Sequence, residues 1–375
     1  MSGHIVQPAA ASEPRAPPQR RGAHYLPRVD ASPLRPHPAR KSPSRHGTRH
    51  EPLPPPRSPR EGGRLDRADL LAELPGDAGL LLWRVVRAVA LWAEDPRPGA
   101  SGTLFAPGAA ARLRAHLQRS GLEPQAQAAV AEIAAWMDDP SGLSADQLVR
   151  VCRVLSAWAE ERGSLATAFE FAQAAAWLEP GAAMPAYLVG RLARRMGEYA
   201  LAESWLRYAL HAARGQRNWR AYTLAWTSIG NVFWVKGNLE RARVCQLRAL
   251  RSARRHSLRQ SEAEALHALF VVLVALGCHD EAEQRGREAM RAYGPEHPKL
   301  PRLRNDLSHL LVLRGRFAEA LETADDLPRH FRNPAERIAV LGLTALAAGG
   351  AGDRARFALA AAEVEALAGA EASAE

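Results

Sequence analysis

Lysine is nearly absent from this chain: Lys41, Lys236 and Lys299 are the only three, so Arg supplies 47 of the 50 basic residues. Arg is therefore the default cation here, and its presence alone does not signal bidentate recognition of phosphate or carboxylate. Together with heavy use of Ala, this bias fits a high-GC bacterial genome. Cysteine is scarce as well. Cys152, Cys245 and Cys278 stand far apart, with no C-x-x-C pair and no Cys/His spacing of a metal-ligand set. That argues against a disulfide framework or a zinc module and fits unpaired thiols in a reducing cytoplasm. Long apolar runs are missing too. The longest, Gly79 to Trp92, is broken by Arg84 and Arg87, whereas a membrane span needs about 20 uninterrupted apolar residues. The first 30 residues lack the apolar run of about 7–15 residues that a signal peptide needs, so a soluble cytoplasmic protein is expected.

Signatures of catalysis are lacking in turn. There is no G-x-x-x-x-G-K-[ST], no G-x-S-x-G, no H-E-x-x-H, and no G-x-G-x-x-G following a strand. Cys278, His279 and Asp280 are consecutive on a turn and cannot converge as nucleophile, base and orienter. No enzyme, cofactor or metal is expected.

What is present divides the 375 residues into three stretches. Residues 1–65 hold fourteen Pro, with eleven Arg and Lys41 against four carboxylates, and so carry +8 of the net +10. A Pro-rich, basic, core-poor stretch of this kind is expected to be disordered with local polyproline II character. Its best candidates for contact are PLPPPR at 52–57 and PRSPR at 56–60. The remaining 310 residues are close to neutral, so the high calculated pI describes the tail and not the body.

Residues 66–140 read as an N-terminal helical cap or degenerate repeats. Apolar residues at three and four spacing predict helices over Asp69 to Leu74 and Asp77 to Glu94. Two more are predicted over Ala109 to Arg119 and Pro124 to Asp138, closed by Asp139-Pro140.

Residues 141–368 are periodic. Turn glycines fall at Gly163, Gly197, Gly237, Gly277, Gly315 and Gly352, spaced by 34, 40, 40, 38 and 37 residues. After each glycine an aromatic or apolar residue is expected at the second place and small residues at the fifth and twelfth. The units give Leu165, Ala168 and Ala175; Tyr199, Ala202 and Ala209; Leu239, Ala242 and Ala249; His279, Ala282 and Ala289; Phe317, Ala320 and Leu327. The sixth departs, with Arg354 and Phe357 at the first two places, and reads as a terminal unit. Upstream, Trp226, Leu266 and Cys152 share one first-helix site, and Gly190 and Gly230 a close-packing site. In this register, which is best kept over Thr223 to Arg254, the chain resembles the tetratricopeptide repeat (TPR) family over about 149–364. That resemblance implies an all-α, right-handed superhelix of five to six stacked hairpins, each unable to bury its apolar face alone.

The same resemblance implies a concave groove lined by the first helices of successive units. Carried over residue by residue, its places hold Tyr187, Arg191 and Arg194 in the second unit and Thr227, Asn231 and Trp234 in the third. They hold Glu264 and His267 in the fourth, and Arg302, Asn305 and His309 in the fifth. A peptide or partner protein is the expected ligand, with Asn231 and Asn305 offering both donors and an acceptor to its backbone. The Lys and Asn set of TPR domains that clamp a C-terminal carboxylate is not reproduced. A second reading stays open: at 100° per residue, Arg241, Arg248, Arg255 and Arg259 lie within about 80° of one another. With Arg251 they would form a basic stripe for nucleic acid, acting together with the tail.

Overall fold

The computed structural model describes residues 69–96, 104–139 and 144–372, with Pro56 and Gly102. Otherwise the segment 1–65 and the Pro140 junction lie outside the described residues. Among the described residues there is no strand, and the chain runs through sixteen α-helices. Four precede the periodic region: α1 (Asp69–Glu73), α2 (Asp77–Glu94), α3 (Ala109–Leu117) and α4 (Pro124–Asp138).

Six hairpins follow. They pair α5 (Ala145–Glu161) with α6 (Leu165–Leu178), α7 (Ala183–Arg195) with α8 (Tyr199–Gly215), and α9 (Trp219–Val235) with α10 (Leu239–Arg255). Next, α11 (Arg259–Ala275) pairs with α12 (His279–Tyr293), α13 (Leu300–Leu313) with α14 (Phe317–Ala324), and α15 (Pro334–Ala351) with α16 (Arg354–Ala372). The start of α5 shows how local sequence sets a boundary. Ser144 accepts from the Gln147 N–H and the Gln147 side chain accepts from the Ser144 N–H, a reciprocal cap that satisfies two donors with no partner inside the helix.

Every hairpin closes in the same way. The six turn glycines have φ between 71° and 79°, a left-handed conformation that costs other residues about 1–2 kcal/mol. In each, the N–H after the glycine donates back to the carbonyl five residues earlier: Ser164 to Ala159, Glu198 to Ala193, Asn238 to Phe233, Cys278 to Leu273, Arg316 to Leu311 and Asp353 to Ala348, at 2.9 ± 0.1 Å. This is a Schellman closure, which satisfies carbonyls otherwise left open at the helix end. The same closure joins hairpins around the centre. Asn218 donates to Ala213 and Leu258 to Ala253, with Arg217 and Ser257 left-handed at φ 53° in place of glycine. Helices α8 to α11 are each 17 residues long, and helices start at 199, 219, 239, 259 and 279. The 40-residue glycine spacing is thus two identical helix-plus-turn steps.

The small-residue register is buried throughout: Ala168, Ala175, Ala202, Ala209, Ala242, Ala249, Ala282, Ala289 and Ala320 are all at 1% exposure or less. Close approach marks both glycines of the expected packing site. A Cβ on Gly190 would stand 2.7 Å from Leu206 Cγ, and one on Gly230 would stand 2.4 Å from Gln246 Nε2. One apolar cluster runs from Leu70 to Cys245 and a second from Ala249 to Ala348, and Trp226 packs against both.

Two units differ from the expected register. In the fifth, α14 stops at Ala324, because Asp325-Asp326 and Pro328 interrupt it and Asp326 turns left-handed at φ 64°. Leu327 therefore sits in a 3₁₀ turn, Leu327–His330, although it is still fully buried. In the sixth, Gly352 closes a hairpin despite the departed pattern, while Phe357 remains 47% exposed. At the other end, α1 and α2 pack against α6. There the Glu73 carboxylate accepts from the N–H groups of Ala166 (2.7 Å) and Thr167 (2.9 Å), capping the start of α6.

Two outcomes follow for stability. Gly190→Ala should cost about 1–3 kcal/mol, because the added methyl meets Leu206 in a close-packed seam. Gly342→Ala, inside α15 with open space around it, should instead stabilise by about 0.5–1 kcal/mol; urea unfolding of the two variants reads both signs. Glu283 supplies a pH dependence. Burial pushes its carboxyl up, but hydrogen bonds from Arg287 and Arg316, with their charges, outweigh this and hold it below its ordinary value of 4.5. A depressed carboxylate stabilises the fold above the unfolded value, and that contribution is lost as pH falls through the folded value. The urea midpoint of the parent should therefore drop below about pH 4.5 more steeply than that of Glu283→Gln, and parallel acid limbs would contradict it.

Candidate functional site: a polar groove across the first helices

Helices α7, α9, α11 and α13 are the first helices of successive hairpins, and one cavity of about 650 Å³ crosses them. Each contributes side chains at spacings of three, four or seven, which is one face of a helix. From α7 come Tyr187, Arg191 and Arg194, and from α9 Thr227, Asn231 and Trp234. His267 and Glu264 on α11 and Arg302 on α13 complete the expected set. Asn305 and His309 do not line it. On α13 the face toward the cavity is the i, i+4 pair Arg302 and Asp306; Asn305 lies about 100° round from Asp306, and its Oδ1 is buried without a partner. His309 is exposed and stands a turn further along.

Several expected contacts are already used inside the protein. The Asn231 Oδ1 accepts from Gln246 Nε2 at 3.0 Å, and the same amide reaches the Thr227 carbonyl at 3.1 Å. Asn231 Oδ1 is thus already engaged within the protein, which leaves the amide donors of the carboxamide uncommitted. The Thr227 hydroxyl donates to the Thr223 carbonyl at 3.2 Å and is spent within its helix. His267 is held from two sides, by Asp306 Oδ2 at 2.9 Å and by the Tyr293 hydroxyl at 3.5 Å, the second too long for a strong bond. Burial pushes the Tyr293 and Tyr187 phenols up, so both stay neutral donors.

The charges sort clearly. Arg191 reaches Glu160 at 2.5 Å, and Arg195 pairs with the same carboxylate. Lys299 pairs with Glu264 at 2.7 Å. Arg194 and Arg302 line the cavity with no ion pair to a carboxylate among the described residues. Burial pulls the Arg194 guanidinium below its ordinary value, partly opposed by the Tyr187 hydroxyl, and its Nε is buried without a partner. Trp234, 41% exposed, offers an apolar ring at the rim.

Sequence reasoning missed Asp306, Tyr293 and Lys299. The i, i+4 spacing of Arg302 and Asp306 was the available signal. Tyr293 and Lys299 enter because the connection from α12 to α13 is longer than the three-residue turns before it, and nothing local marks that.

The basic stripe is only partly continuous. Helix α10 ends at Arg255, and Arg259 opens α11 after the turn at Ser257, so Arg259 does not extend the row. Arg241 lies 5.7 Å from the Phe233 ring centroid and Arg248 lies 4.8 Å from that of Trp226. Arg251 and Arg255 are exposed. The carboxylates nearby neutralise other arginines: Glu281 pairs with Arg243 at 3.2 Å, and Glu262 and Glu288 pair with Arg254 at 2.8 and 3.0 Å.

No family model and no curated protein matches the chain. Solved structures do match. PilF of Pseudomonas aeruginosa aligns at 18% identity and TM-score 0.47, covering 60% of this chain and 93% of its own. The apo form of RapI aligns at 11% identity and TM-score 0.49, covering 76% and 87%. YrrB, described as a TPR protein with an unusual peptide-binding site, aligns at 17% identity and TM-score 0.38, covering 52% and 91%. No helix among the described residues is long and apolar enough to cross a membrane. Six hairpins that close alike on turn glycines, with small packing residues buried in the first five, give this chain a TPR-like all-α fold.

Proposed function

We propose that this protein is a non-enzymatic adaptor or regulator of the cytoplasm that captures an extended, carboxylate-bearing peptide segment in the groove across α7, α9, α11 and α13. The observation that carries the reading is the pair of unmatched guanidiniums. Four of the six cationic or potentially cationic side chains named in the groove already have a carboxylate, and Arg194 and Arg302 do not. The Arg194 guanidinium, partly buried and unpaired, is costly to the free protein, and a ligand carboxylate offsets that cost with charge-assisted hydrogen bonds, while the exposed Arg302 adds a second cation within reach of the same ligand. The Asn231 amide donors take a backbone carbonyl of the same segment, and the Trp234 ring with the side chain of Val271 takes an apolar neighbour. A volume of about 650 Å³ accommodates a few residues of extended chain, in the range of small ligand sites of about 300–1,000 Å³.

Selection of random peptides displayed on phage against the full chain tests this. Selected peptides should be enriched in Asp and Glu. Measured by fluorescence polarisation, Arg194→Gln with Arg302→Gln should weaken the best of them at least tenfold, about 1.4 kcal/mol. Arg207→Gln, paired with Glu203 on a second helix, should leave affinity unchanged. Peptides without acidic enrichment, or equal binding by the double variant, would remove the groove assignment.

A further inference from the structure

A second cavity, of about 710 Å³, lies where α8, α9 and α10 come together at the two turns that use left-handed Arg217 and Ser257. Four guanidiniums line it: Arg214 at the end of α8, and Arg248, Arg251 and Arg255 along α10. Its lining holds no Asp or Glu. None of the four pairs with a carboxylate among the described residues, whereas Arg243 and Arg254 of the same helix do. Helix α10 therefore separates its arginines by face, one neutralised against α11 and α12 and the other left charged. Like charges gathered in this way repel one another in the unliganded protein, and an anion relieves them.

Aromatic rings lie against two of these cations. Arg248 lies 4.8 Å from the Trp226 centroid and Arg214 lies 5.6 Å from that of Tyr222. The His256 imidazole stacks on Trp219 at 4.4 Å and 6°. Trp219, Tyr222 and Trp226 follow one another edge to face at 5.9 and 6.3 Å, each only partly buried. A guanidinium lying on a ring can offer its outer face to another planar group, and the contact favours that position only a few-fold at an exposed site.

We infer that this cavity binds a nucleoside phosphate, with the phosphates held by Arg248, Arg251, Arg255 and Arg214 and the base stacked on the ring and guanidinium planes. Alternation of basic and aromatic side chains is the chemistry by which sequence-tolerant sites hold single nucleotides and single strands. The ligand is either a free nucleotide or one residue of a single-stranded nucleic acid, and both present the same base and phosphate. This site is independent of the peptide groove, since no side chain lines both cavities.

The test uses the full chain at low salt with three probes: a fluorescent N-methylanthraniloyl ATP, inorganic pyrophosphate, and fluorescein-labelled oligouridylates of four and twelve nucleotides. The nucleotide should bind, and pyrophosphate should displace it at least tenfold less well than ATP does. Arg248→Gln with Arg251→Gln should weaken nucleotide and oligonucleotide at least tenfold. Arg241→Gln with Arg259→Gln removes the same charge outside the cavity and should change either by less than twofold. Twelve nucleotides binding more tightly than four or than ATP marks a strand as the source; equal affinity marks a free nucleotide. Three outcomes overturn the proposal: no probe retained, equal losses in the two double variants, or pyrophosphate displacing as well as ATP. The last needs no variant, so misfolding of a variant does not shield the inference.

Discussion

The repeat array depends on one left-handed residue placed at each hairpin turn. An α-helix ends with carbonyls that lack partners, and a residue at positive φ lets the next N–H fold back onto them while sending the chain in the reverse direction. Repeated every 20 residues from α8 to α12, this closure returns each helix at a fixed distance and a fixed rotation. Side chains 40 residues apart then occupy equivalent places, which is why Tyr187, Thr227 and His267, each 40 from the last, line one cavity. Where the interval breaks, between Gly277 and Gly315, the groove gains Lys299 from the connection and Tyr293 from the last position of the helix before it.

Turning the chain is not sufficient; the helices must also approach. Ala and Gly at the contact rows bring axes to the short end of about 8–10 Å, and the larger neighbours then fill the space to interior density. Gly230 shows the consequence. Its missing Cβ admits Gln246, whose amide ties α10 to both Thr227 and Asn231 on α9. A buried glutamine amide with two partners replaces what would otherwise be apolar filling, and it fixes which way Asn231 points.

How much of this was legible in the sequence follows from which contacts are local. Turn glycines announce themselves because other residues are penalised at positive φ, so all six hairpin turns could be read. The turns at Arg217 and Ser257 could not, because a non-glycine there is a choice against local preference that the surrounding packing must enforce. The Ala rows were legible by period, and with them nine of the eleven expected groove residues. Asn305 was misplaced by one position, since the start of α13 at Leu300-Pro301 sets a rotation that the longer connection hides. Ion pairing was the least legible. Whether an arginine meets a glutamate on the next helix depends on inter-helix distances, and seven arginines between Arg241 and Arg259 look alike until Glu262, Glu281 and Glu288 are in place.

That sorting of arginines gives the central hairpin two unlike faces. Helix α9 supplies Thr227, Asn231 and Trp234 to one cavity and Trp219, Tyr222 and Trp226 to the other. Adjacent residues such as Trp226 and Thr227 point about 100° apart, so one helix serves both without sharing a side chain. The first cavity balances most of its charge internally and leaves two guanidiniums; the second leaves four, two of them lying over rings. Because Gln246 and the Gly230 contact lock α9 to α10, and Trp226 joins the two apolar clusters, the walls of both cavities belong to one packed element. The difference in charge between the two cavities is thus set by which side chains the register leaves unpaired, and not by any difference in scaffold.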